Sequence, residues 1–375
     1  MLFTQLQAVE TCDYIDETTE ETDDQAYFAE LLDESRPIED YERWVIGLHK
    51  HLMKHDDINV ATLALANLDS SFSNRLDHET EELILKPESK LKFLKQVAES
   101  LDANVYSLKL AQSMCTHDDV SDKCPTEQIT EKLFASEPEN MAIYLQDLDA
   151  AVVDDDAEMI AMILLRMSKT KYAHIMAGIP NEFQMALDEY LFEHPIPAEK
   201  DLELFKEMTS NLSEAEIESM QYIIFMSGIK MTGMMSLVPA MSPLFKACEH
   251  DQKHAKSCLK IADTLTNNSD SIMMAMLGYE LTVKVNEQLE DEKAIESSQT
   301  ANDKFKEYYS CLMENHYKQD DLDIFVDPIV QKLFIEGSHE GRYKEQTAVH
   351  LYEKYQKAGV ENLTDPKSCG LRYTN

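Results

Sequence analysis

MCTHDDVSDKCP (residues 114–125) and ACEHDQKHAKSC (residues 247–258) decide how this chain is built. In each, a cysteine closes one apolar helical stretch, and a second cysteine nine or ten positions later opens the next. The apolar residues that follow keep one mutual spacing: Ile129, Leu133 and Met141 after the first pair, Ile261, Leu265 and Met273 after the second. Positions four or eight apart share a helix face, so each copy reads as helix, polar turn, helix. The chain is expected to be assembled from related helical hairpins.

Composition agrees. Nine glycines in 375 residues are too few for doubly wound sheets or barrels, which need glycine at tight turns. Good helix formers (Leu, Met, Ala, Glu, Lys, Gln) dominate instead. The expected class is all-α: stacked antiparallel hairpins forming an α-solenoid or a compact helical-repeat bundle. The net charge of −37, from 71 acidic against 34 basic residues, repels phosphate backbones and anionic lipid surfaces. Neither nucleic acid nor a membrane surface is therefore expected as a partner. A basic protein or peptide is the complementary one. The one long apolar run, Ile223 to Phe245, is broken by Gly228, Lys230, Gly233 and two prolines, so it reads as a buried helix pair and not as a membrane span.

Outward from the cysteine motifs, apolar spacing places helices at Ile38–Leu52, Val60–Leu68, Lys90–Leu101, Val105–Met114, 181–192, 253–266, 271–287, 301–315, 322–334 and 343–357, with a weaker one near Glu79–Leu85. Ser136-Glu137-Pro138-Glu139 reads as the start of a helix running to Val153, and Asp154-Asp155-Asp156 as the start of the next, ending near Ser168. Ser213 with Glu216 opens a helix to Met226, followed by separate ones over Met231–Leu237 and Pro243–Cys248. His194-Pro195-Ile196-Pro197 is the strongest break, since residues before proline avoid helical geometry. The expected layout is an acidic N-terminal tail and short helix over 1–35, a helical half over 36–194, a second over 195–358 and a frayed polar tail over 359–375. Residues 10–34 carry 11 acidic groups and no basic one.

This layout of short paired helices resembles tetratricopeptide-type helical repeat proteins across most of the chain. The strict 34-residue period is missing, and so is that family's Trp…Leu-Gly…Tyr…Ala…Pro signature. The resemblance implies no activity; the repeated hairpins, the missing catalytic motifs and the acidic surface lead to the expectation of a helical scaffold that binds a protein or peptide in a groove between stacked hairpins.

Catalytic chemistry finds no support in motifs: G-x-x-x-x-G-K-[ST], G-x-G-x-x-G, G-x-S-x-G and C-x-x-C are all absent. The expectation is a non-enzymatic protein with no cofactor. Cys115 and Cys124 flank a polar loop that can fold back to join them. Cys248 and Cys258 can pair only if the chain turns near Glu249–Gln252, because ten residues of unbroken helix span about 15 Å. Two readings stay open. Seven reduced thiols would fit a cytoplasmic protein, in keeping with a first basic residue only at Arg36 and hence no secretory signal. Two disulfides would instead mark an exported or periplasmic protein of the cell envelope.

Metal candidates are two histidine pairs at i, i+4 spacing, His51 with His55 and His250 with His254, and a metal-binding helical protein is the third functional reading. His250, His254 and Cys258 would form a stripe too long for a single ion if the segment is helical. Asp147, Asp149 and Glu158 occupy EF-hand positions, but Ala151 and Val152 stand where a ligand and a glycine are required. The methionine clusters at 226–241 and 273–276 read as soft core.

Overall fold

The computed structural model describes residues 40–72, 75–77, 82–176, 178–197, 214–237, 240–250, 252–317 and 327–373. The acidic segment 1–35, Ile38 and the Ser213 cap lie outside them. The fold is all-α. Fifteen α-helices are present among the described residues: α1 (Asp40–Leu52), α2 (Ile58–Phe72), α3 (Pro87–Glu99), α4 (Val105–Met114), α5 (Thr126–Ser136), α6 (Leu145–Val153), α7 (Ala157–Met167), α8 (Asn181–Glu193), α9 (Glu214–Leu237), α10 (Ser242–His250), α11 (Ala255–Asn267), α12 (Ile272–Gln288), α13 (Glu292–Met313), α14 (Pro328–Glu336) and α15 (Glu340–Lys357).

Short polar residues start many of them. Asn104, Asp156, Asp291 and Asp327 each accept a hydrogen bond from a backbone N–H in the first turn of the helix that follows, satisfying donors that have no partner within the helix.

Three local expectations are corrected. The stretch near Glu79–Leu85 is no helix where it is described: β1 (Leu76–Asp77) pairs antiparallel with β2 (Glu82–Leu83), and Ile84 N–H bonds Arg75 O at 3.0 Å. Pro87 fixes the start of α3 and holds Lys86 extended, leaving too few residues for a helix before it. Ser136 ends α5 and opens nothing; the cap is Asn140, whose side chain accepts from Ala142 N. Between Glu214 and Leu237 the chain forms one helix of 24 residues, uninterrupted at Gly228 and Gly233. Gly233 serves close packing, since a Cβ there would lie 2.4 Å from the Tyr106 hydroxyl.

Two large apolar clusters form the core. The first joins α1–α5 and α8 with Phe225, Met226 and Ile229 of α9. The second joins α6 and α7 with α10, α11 and α12. Packing thus crosses the His194–Pro197 break in both directions. One cysteine hairpin sits in each cluster, Cys115 with Ile129 and Leu133 in the first, Cys248 and Cys258 with Ile261 and Leu265 in the second. The third members of the two series diverge: Met141 is fully buried, whereas Met273 is half-buried.

A smaller cluster of α12, α13 and α15 receives the C-terminal segment, with Cys369, Leu371 and Tyr373 packed against it. Residues 359–373 are therefore pinned, where fraying was expected. Cys311 of α13 and Cys369 stand 5.7 Å apart at Cα with their sulfurs at disulfide distance. The fully buried Glu345 carboxylate accepts from Tyr308 Oη at 2.7 Å, Tyr373 N at 3.0 Å and Arg372 N. No helix among the described residues is long and apolar enough to cross a membrane.

Candidate functional site

The hairpin motifs fold as turns at which their cysteines meet. Cys115 caps the end of α4, Cys124 precedes α5, and their Cα atoms lie 5.5 Å apart. α10 ends at His250 and a 3-10 turn over Gln252–His254 leads into α11, so Cys248 and Cys258 come to 5.8 Å. With Cys311–Cys369, three pairs stand at disulfide distance. The third escaped sequence reading because 58 positions separate its members and no local pattern links them.

The first hairpin loop also carries charge inward. Lys90, in the first turns of α3, is fully buried, and its Nζ lies 2.8 Å from Asp69 Oδ1 of α2, itself fully buried. The loop supplies the remaining partners: Asp119 Oδ1 at 3.1 Å and His117 Nδ1 at 3.1 Å. His117 Nδ1 is also 3.0 Å from Asp69 Oδ2. Two carboxylates and an imidazole thus surround one ammonium, which a charge removed from water requires.

A second polar junction ties the hairpins together. The strand-like segment 171–176 bridges the turn before Met141 and the turn before Ile272. Asn140 Oδ1 accepts from His174 N at 3.0 Å while its Nδ2 donates to His174 O. Asp270, buried, accepts from Ile175 N and Met176 N at 2.9 and 2.8 Å. Burial pushes the Asp270 carboxyl up to about 7, against those two N–H donors and the Lys109 charge, which favour its ionised form. Burial likewise lowers His174, with Glu137 opposing and Lys109 adding to the shift. The Asn140 and Asp270 side chains of this junction hold backbone, which makes it a structural clasp.

His51 is exposed and its ring lies 5.0 Å from that of Tyr190. His55 is exposed and its Nδ1 accepts from Asp57 N. His254 is half-buried in the 3-10 turn, and His250 is the last residue of α10. Among the described residues no three His, Cys, Asp or Glu side chains are placed to hold a metal ion. Asp147 and Asp149 lie on α6 and Glu158 on α7, while Asp156 caps α7. Met226 and Met241 are buried in the two main clusters and Met274 in the second, as core.

The surface offers more. On α7, Met159, Met162 and Leu165 are 40%, 37% and 51% exposed, while Ile163, Leu164 and Met167 face inward. Val153, at the end of α6, is 77% exposed. Between these lies an acidic turn: Asp154, Asp155, Asp156 and Glu158 are all exposed. Gln146 and Asp149 share a face of α6 with Val153 by helical spacing, and they line a groove of about 250 Å³ that Lys109 and Thr116 close from α4 and the hairpin loop. This edge combines exposed apolar side chains with a dense anionic rim. Sequence reading missed it because AEMIAMILLRM is apolar on nearly every side, so the pattern does not say which residues face water.

The chain matches no family model, no curated protein and no solved structure.

Proposed function

We propose that this is a non-enzymatic helical scaffold whose α6–α7 edge docks a basic, amphipathic helical segment of a partner protein. The observation that supports this reading is the exposed series Val153, Met159, Met162 and Leu165 beside the acidic turn Asp154–Asp156 and Glu158. Methionine is unbranched and adapts to varied apolar surfaces, and a helix laid on such a stripe anchors through residues at i, i+3, i+4 and i+7. Its lysines and arginines would meet the acidic rim, which raises the association rate and makes it fall with salt.

Binding of a fluorescent Leu/Lys amphipathic helical peptide, followed by anisotropy, tests it. Met162→Glu should weaken binding at least tenfold, about 1.4 kcal/mol. A scrambled peptide of equal charge should bind less tightly by a similar factor. Equal binding of both peptides, or no effect of Met162→Glu, refutes the reading.

A second reading concerns compartment. Three cysteine pairs at disulfide distance support an exported, disulfide-stapled protein of the cell envelope. Intact mass of protein from its native host, without reductant, should show two hydrogens lost per pair. Seven alkylatable thiols would sink it.

A further inference from the structure

We infer that the Cys115–Cys124 pair is a redox latch that seats the loop 116–123 over Lys90, so that reduction bares this amine. The loop is held to the rest of the protein by few ties. Its backbone hydrogen bonds run among residues 113–124: Thr116 N to Ser113 O, Val120 N and Ser121 N to His117 O, Lys123 N to Val120 O. None of these anchors it to α2 or α3. The buried side chain of Val120 and the charges of His117 and Asp119 on the Lys90–Asp69 pair do so, while the cysteine bridge closes the loop at its base, between the end of α4 and the start of α5.

The bridge dominates this set because it fixes both ends of the loop at once, 5.5 Å apart at Cα. Without it the loop is an ordinary surface connection, and His117, 43% exposed at its side chain, already reaches solvent. Lys90 then keeps Asp69 and loses its cover.

The three pairs differ in who can reach them, and Cys311 and Cys369 are both half-buried. Cys248 and Cys258 are both fully buried, closed to an external thiol. Cys115 is buried but Cys124 is half-buried, which offers one sulfur for attack. A thiolate of a dithiol reductant attacks Cys124 Sγ, and Cys115 leaves as a thiolate and takes up a proton. The reductant's second thiol then displaces Cys124 from the mixed disulfide. The reductant ends as a disulfide and the protein gains two thiols. Thr116, next to Cys115, also walls the α4–α6 groove, so the same event loosens that wall.

The test is acylation of the folded full-length chain with an N-hydroxysuccinimide ester, mapped by peptide mass spectrometry. The parent is compared with the Cys115→Ser/Cys124→Ser double variant. Lys90 labelling should rise at least tenfold in the double variant, while Lys230, buried in α9 far from the loop in sequence, stays protected in both. Asp119→Asn, with the bridge intact, should leave Lys90 protected. Three results would each overturn the latch: Lys90 protected in the double variant, Lys90 and Lys230 rising together, or Asp119→Asn exposing Lys90 as fully as loss of the bridge.

Discussion

Replacing Lys90 by methionine tests the buried charge cluster directly. The side chain keeps its length and apolar stem, and only the ammonium is lost. Asp69, with no exposed surface, is then left as a carboxylate inside the first core, with His117 Nδ1 at 3.0 Å as its remaining polar contact. Removing one partner of a buried ion pair costs about 3–5 kcal/mol, because the survivor stays desolvated and unpaired. The residual imidazole places Lys90→Met at the low end, about 3 kcal/mol. The double variant Asp69→Asn/Lys90→Met removes the orphan charge and should recover more than half of that, a coupling of about 2 kcal/mol. The assay is urea unfolding followed by fluorescence of Trp44, the single tryptophan. Trp44 packs on Tyr190 and Phe225 at the edge of the core that contains α2 and α3, so it reports the core in which the change is made. A loss below about 1 kcal/mol for Lys90→Met, or a double variant no better than the single, refutes the reasoning.

Removing the long cysteine pair with Cys311→Ser/Cys369→Ser should cost about 4 kcal/mol from the 58-residue separation it closes, and limited proteolysis should then cleave at Lys367 and Arg372. Gly278→Ala should destabilise by about 1–2 kcal/mol in thermal unfolding despite alanine's better helix propensity, because its Cβ would sit 2.6–2.8 Å from Thr266 Oγ1, Thr266 N and Ala262 O and force α12 off α11; unchanged stability would mean that this helix pair has slack. Two buried groups should oppose each other in the pH profile. Burial lowers His49 from 6.5 to about 4, so its contribution is full above pH 6.5 and is lost as pH falls through 4, about 3 kcal/mol in all. Burial raises Asp270 from 3.8 to about 7, so its contribution is full below pH 3.8 and is lost as pH rises through 7, about 4 kcal/mol. Relative to the parent, unfolding free energies measured from pH 4 to 7 should show His49→Leu tilting the profile toward acid stability and Asp270→Asn tilting it toward neutral stability; parallel profiles would contradict both shifts.

The helical class was legible because its signal is local and repeated. Ile129 with Leu133 and Ile261 with Leu265 state their period within five residues, and all four are fully buried. The cysteine hairpins were legible for the same reason, a turn of nine or ten residues between two apolar runs. What failed were features set by contacts distant in sequence. The ribbon at Leu76–Leu83 depends on the fixed start of α3 at Pro87. The continuity of α9 depends on Tyr106, which fills the space at Gly233 and turns an apparent break into a packing site. The pinned C-terminal segment depends on Cys311 and Glu345, each far upstream of the residues it holds. The charge cluster was hidden in a different way. Asp69, His117 and Asp119 are two acids and an imidazole among many, and only the burial of Asp69 and Lys90 singles the group out.

The placement of three buried cations fixes how the helices register on one another. Basic residues are scarce, yet Lys90, Lys230 and Arg75 are buried, and each joins elements that the apolar core alone would leave free to slide. Arg75, beside the ribbon, pairs with Glu42 of α1 at 2.6 Å. Lys90 of α3 gathers α2 and the hairpin loop. Lys230 of α9 donates to the carbonyls of Phe334, Ile335 and Gly337, the unsatisfied end of α14, where cationic charge suits the helix dipole, although burial lowers its amine to about 8. Each cation has fixed acceptors at defined distances, so a slipped helix would strand a charge in apolar surroundings at a cost far above that of displacing one leucine.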